Sequence, residues 1–297
     1  MRVFTAQACL THNPGGGHPD QAARLVAVLA ALHGAPGVVL TESPAAPIEA
    51  LLRRHDRTYL DRVARMSAAG GGELGPDTTI DLNSWTATLA ASGAALAALD
   101  HAVGRLGHAF AAIRPPGHHA LPGRAMGFCI VNHIAVVAAA ARARGAERVL
   151  IVDWDVHHGN GTQAMVEHEP RTRFVSMHQW PWYPGSGTAA ERGVGNCFNI
   201  PMAAGLPPAV YVESLWRGVE RATSDWQPDV VLISAGYDAM KGDPLGGFTL
   251  EPEHYAEWVR RMRERFAEAP IVALMEGGYA PERLATGVVA TIGALDD

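Results

Sequence analysis

The run Asp153-Trp154-Asp155-Val156-His157-His158-Gly159-Asn160-Gly161-Thr162 directly follows the apolar segment Val149-Leu150-Ile151-Val152. That segment reads as a buried strand of a parallel sheet. Strand side chains alternate, so Asp153, Asp155 and His157 project to one side where the strand ends. Carboxylates and imidazoles are ligands of zinc, iron and manganese. Any one of these residues could be a solvated turn residue. Two carboxylates straight after an apolar run need a partner of opposite charge, so together they read as a metal site. Asp155 and His157 are candidate ligands, and Asp243 from another strand end would complete a set of three. Three mixed oxygen and nitrogen donors leave one position open, as in catalytic rather than structural sites. A divalent metal there lowers the pKa of water and polarises a carbonyl, which is hydrolase chemistry.

Two further motifs offer the remaining roles. His118-His119 can serve as general base and general acid. Tyr279, carried on Gly277-Gly278, can donate a hydrogen bond to a developing oxyanion. Taken singly, the histidines could be satisfied by a turn and the tyrosine could be a core aromatic. Their common place after apolar runs favours the functional reading.

The elements that position these residues are legible as apolar runs alternating with helical segments. A first strand lies near Met1–Ala6, and later runs cover 109–113, 149–152, 174–177, 198–201, 230–234 and 271–275. This alternation predicts an α/β fold with a mainly parallel central sheet and helices on both faces. Four of the runs are followed by His118-His119, by the opening motif, by Asp243 and by Tyr279. Ligands of an open α/β sheet bind at the carboxyl ends of its strands. Helices are expected over about 21–32, within 47–68, from Asn83 or Ser84 to about 103, and over 133–144. The stretches 11–20 and 70–77 are rich in glycine and read as loops; His12, His18 and His55 read as turn or packing residues.

No linker, repeat or charge block divides the 297 residues, so one domain spanning 1–297 is expected. The net charge of −6 gives no basic field for nucleic acid. Cys9, Cys129 and Cys197 form no paired motif and suit a reducing compartment. No apolar run reaches the ~18 residues of a membrane span, and the start has no signal-peptide core, so a cytoplasmic protein is expected.

In order and separation, the motifs RPPGHH, GFC with Asn132, DWDVHHGNGTQ, SAGYDAMKGDPLGG and MEGGY resemble the zinc-dependent histone deacetylase superfamily, which includes acetylpolyamine amidohydrolases and acetoin-utilisation proteins. The resemblance spans the chain, including His18-Pro19-Asp20. It implies a single arginase-like domain. It also implies one Zn2+ on Asp155, His157 and Asp243, with Fe2+ or Co2+ as alternatives. By the same resemblance His118 and His119 are the catalytic pair, Tyr279 polarises the scissile carbonyl, Asp153 supports His118 and Asn160 orients His119. A neutral Asn160 raises basicity less than a carboxylate would, so the two histidines should differ. By the same resemblance Gly127, Phe128 and Tyr183 are expected to line a narrow acyl-lysine tunnel. The resemblance also implies a structural K+ or Na+ near Asp153, Asp155, His157, Ser176 and Met177.

The Glu276-to-Tyr279 motif and Asn160 resemble the class II branch. Leu245 falls where polyamine-preferring relatives of that branch place an acid, which favours acyl-lysine of proteins or peptides over a small acylated amine. Asp77 and Asp81 are the candidates for a rim residue that grips substrate. Two competing readings are a two-manganese ureohydrolase of the related fold, and a protein that binds acyl-lysine or a metabolite without turnover. The sequence leaves open whether the chain forms a homo-oligomer.

Overall fold

A computed structural model describes residues 1–297. Eight parallel strands form the central sheet: β1 (Arg2–Thr5), β2 (Val39–Glu42), β5 (Ala109–Ala111), β6 (Val149–Asp153), β7 (Thr172–Gln179), β8 (Cys197–Met202), β9 (Val230–Ala235) and β10 (Ile271–Met275). Their order is β2-β1-β5-β10-β9-β6-β7-β8. Strands β6, β9 and β10 are fully buried and almost wholly apolar, interrupted only by Asp153 and Ser234 near their ends, because both faces are covered. Because all strands run the same way, their carboxyl ends share one rim. There, the segments after β5, β6, β9 and β10 meet on adjacent strands.

Helices pack on the two faces. They include α1 (Ala22–Leu32), α4 (Ser84–Val103), α5 (His133–Ala143), α6 (Asn160–Val166), α7 (Pro208–Ala222), α8 (Pro252–Arg265) and α9 (Pro281–Asp296). The alanine-rich α4 lets its backbone approach the sheet; thirteen of its twenty residues are buried. The expected helix within 47–68 is two, α2 (Ile48–Leu51) and α3 (Arg57–Ala68). The stretch 70–77 differs from expectation: Gly71–Gly75 (β3) and Thr78–Asp81 (β4) form an antiparallel hairpin. Its turn carries Asp77 to the rim. No helix is long and apolar enough to cross a membrane, and all three cysteines are free and buried.

Candidate active site

Strand β6 ends at Asp153, so the chain turns under Asp155, Val156 and His157. Asp155 Oδ1 accepts from the His157 backbone N–H at 2.9 Å, and Asp155 Oδ2 from Gly277 N at 2.9 Å. His157 Nδ1 lies 3.0 Å from Asp155 Oδ1 and 3.1 Å from Asp238 Oδ2. The donor atoms of Asp155, His157 and Asp238 all lie within 4.8 Å of one another, and all three residues are buried. Asp238 is not among the ligands that the sequence alone points to. Its signal was the acid in Gly236-Tyr237-Asp238, after the same strand that precedes Asp243. Gly277 closes the back of the site, where a Cβ would fall 2.1 Å from Asp238 Oδ2 and 2.5 Å from Asp155 Oδ2.

Asp243, the third ligand expected from sequence, stands outside that trio. Its Oδ2 accepts from Tyr279 N at 2.6 Å and its Oδ1 from Leu245 N at 2.9 Å. It thereby ties the β9 and β10 rim segments together.

The donor set fits a metal ion. Tetrahedral bonds of about 2.0–2.1 Å place neighbouring donors roughly 3.3 Å apart, close to the spacing around His157 Nδ1. The electrostatics agree. Against the opposing effect of burial, the carboxylates of Asp155 and Asp238 push His157 up to about 10. Burial and the nearby Asp155 push Asp238 up to about 7. The His157 shift describes a site made negative by its two carboxylates, which suits a cation.

The histidine pair lies on the loop after β5, with ring centroids 4.0 Å apart. Their environments diverge. His118 Nδ1 is 3.0 Å from Asp153 Oδ2; burial opposes its charge, but Asp155 and Asp153 overcome this and hold it well above the ordinary imidazole range. His119 Nδ1 bonds Asn160 Oδ1 at 2.7 Å, and burial with the neighbouring His118 and His157 holds it well below that range. The Asn160 amide donates to Met126 Sδ, which leaves Oδ1 to accept from His119 Nδ1–H. His119 is therefore neutral, with Nε2 free as a base.

A cavity of about 270 Å³ opens over this group, lined among others by His119, Phe128, His157, Tyr183, Leu245 and Tyr279. The Phe128 ring stands edge-on to Tyr279 at 5.7 Å, and Tyr183 edge-on to His119 at 5.2 Å. Gly127 and Phe128 both have positive φ (58° and 66°), and a Cβ on Gly127 would collide with the His119 ring. Asp77, offered by sequence as one rim candidate, reaches both walls: it accepts from Gly127 N at 3.0 Å and from the Tyr183 hydroxyl at 2.7 Å. Asp81 instead bonds Ser84 and Asn13, away from the cavity. Trp182, half exposed, donates to the Leu245 carbonyl.

Beneath Tyr279 lies a buried ionic cluster whose arginines carry no sequence signal of their role. Asp20 accepts from Arg24 at 2.6 Å and from Arg114 at 3.0 Å. Arg24 also donates to the carbonyls of Gly278 and Glu276 and lies 4.8 Å from the Tyr279 ring centre. His12 and His18 take no part among the converging ligands; His12 bonds Ser84, and His18 packs against Phe128. His55 accepts from Asn132 N.

The parallel sheet and the groups gathered on its rim define a hydrolase of the arginase and deacetylase architecture. The histone deacetylase domain model matches residues 18–295. A histone deacetylase-like amidohydrolase of Pseudomonas aeruginosa is 39% identical over 251 residues, covering 81% of this chain and 66% of its own. A probable deacetylase of Archaeoglobus fulgidus is 34% identical over 304 residues, covering 97% of this chain and 84% of its own. The crystal structure of the HDA15 HD domain is similar with a TM-score of 0.95 at 33% identity, over 99% of this chain and 90% of that one. The chain belongs to the histone deacetylase family and is a hydrolytic deacetylase.

Proposed function

We propose that the protein is a zinc-dependent amidohydrolase that removes acetyl or another short acyl group from lysine side chains. The observation that supports this most is the aromatic-walled cavity, lined by Phe128 and Tyr183, that reaches His157 and His119. Asp155 and His157 would hold the metal, with Asp238 or Asp243 as the second carboxylate. Iron or cobalt suits the same donors. When bound, the metal lowers the pKa of a water molecule and polarises the acyl carbonyl.

The chain's own residues supply the rest. Phe128 and Tyr183 confine an unbranched side chain so that its carbonyl stops beside Tyr279. His119, neutral and with Nε2 facing the cavity, takes a proton from the attacking water. The Tyr279 hydroxyl donates to the oxyanion. The amine leaves with a proton from the histidine pair. Asp153 and Asn160 fix the two rings. A monovalent cation would sit beside Asp153, Asp155, His157, Ser176 and Met177; Ser176 lies opposite Asp153 in the β6–β7 register.

Leu245 at the mouth presents no partner to a second ammonium group. One observation favours the alternative substrate, a small acylated polyamine: Asp77 is a carboxylate on the cavity wall. It already accepts from Gly127 and Tyr183, which weakens it as a counter-ion. The test compares kcat/KM for acetate release from an acetyl-lysine peptide, acetylputrescine and acetylspermidine. The peptide is expected to lead by at least tenfold. Faster turnover of the polyamines would overturn the lysine assignment while leaving the deacetylase intact.

A further inference from the structure

The glutamate of the Glu276-Gly277-Gly278-Tyr279 motif has no part in the chemistry above, yet it is buried beside it. Its side chain is about 1% exposed and lies at the end of β10, next to β5 in the sheet. Oε2 accepts from Gly117 N at 2.6 Å and from His118 N at 3.2 Å. Oε1 is buried and has no partner. The main chain of Glu276 is fixed as well: its N–H donates to Ala235 O, and its carbonyl accepts from Arg24.

Burying a carboxyl group is costly, and here burial pushes Glu276 up to about 7. What the residue gains is a fixed acceptor for two main-chain N–H groups in the loop that carries the histidine pair. The rest of His118 is held from other directions. Its carbonyl accepts from Thr162 N at 3.1 Å, and its ring Nδ1 meets Asp153. Without Glu276 the amide side of this residue has no anchor.

We propose that Glu276 is a positioning residue for deacetylation, setting the place of His118 by accepting the Gly117 and His118 amide protons. Glu276 touches neither substrate nor metal ligand side chain in this role and acts through the backbone. The inference rests on the deacetylase site described above.

The test uses three variants of the full chain. Glu276→Gln keeps an acceptor oxygen at the same reach. Glu276→Asp keeps the acid but is one methylene short, and Glu276→Ala removes the acceptor. A displacement of about 1 Å near reacting groups costs on the order of 100-fold. The Ala and Asp variants should lose 10- to 100-fold in kcat, with KM within about twofold and metal content unchanged. The Gln variant should stay within about fivefold of the parent. Deuterium uptake in a peptide spanning residues 114–119 should rise in Ala and Asp and stay low in Gln. This second readout needs no substrate, so it distinguishes a wrong anchor from a wrong substrate. If Ala fails to fold, the Gln and Asp pair decides. Full activity with unchanged uptake in Asp, or equal losses in Gln and Asp, would overturn the proposal.

Discussion

Replacing Tyr279 by phenylalanine removes one hydroxyl from the cavity wall and leaves the ring where it is. The ring's supports do not involve the oxygen: Phe128 edge-on at 5.7 Å, Arg24 over the face at 4.8 Å, and the backbone N–H bonded to Asp243. No void forms, so the change in stability should stay below about 1 kcal/mol. Loss of one oxyanion donor costs about 2.7–4 kcal/mol, or 100- to 1,000-fold in kcat. Burial, opposed by Arg24 and reinforced by Asp238 and Asp155, holds the phenol well above its ordinary range. It is therefore a neutral donor at any working pH, and the loss should be the same at pH 7 and pH 8.5. The assay is acetate release at saturating acetyl-lysine peptide, with metal content measured on the same sample. A kcat within fivefold of the parent at full metal content would refute the role given to this hydroxyl.

Asp20→Asn leaves Arg24 and Arg114 buried without their shared counter-charge. It should cost about 3–5 kcal/mol in chemical unfolding, and a loss under 1 kcal/mol would contradict the reading of that cluster. Buried His12 is held down at about 4, against an ordinary 6.5, mainly by burial. The unfolded chain then binds more protons between pH 6.5 and 4, so stability falls as pH falls through that window, by about 3 kcal/mol from this group at most. His12→Gln should flatten the decline of the thermal midpoint with acidity, and an unchanged slope would remove His12 as a contributor.

Much of the site was legible because a parallel sheet gathers residues that lie far apart in sequence. An apolar run followed by Asp155 and His157, or by Tyr279, marks a strand and its functional end together. The missed features were ambiguous or non-local. Asp238 and Asp243 follow one strand in one loop, and only the folded turn shows which carboxylate reaches His157. The Asp20 link to Arg114 spans 94 residues and that from Arg24 to Gly278 spans 254, so no helical or strand period reveals them. The β3–β4 hairpin hid among glycines that give no alternation of apolar and polar residues. Asp77 was a candidate without a partner until Gly127 and Tyr183 were brought to it. The edge strand β2 has no fully buried residue, and its apolar stretch, Val38 to Leu40, is too short to stand out.

A metal titration separates a single-metal hydrolase from the alternatives. Protein stripped by a chelator should release no acetate from an acetyl-lysine peptide. Stepwise addition of zinc should restore turnover in proportion, reaching a plateau at one equivalent per chain. Full turnover in the stripped protein, or a plateau only at two equivalents, would contradict the single-metal site built on Asp155 and His157.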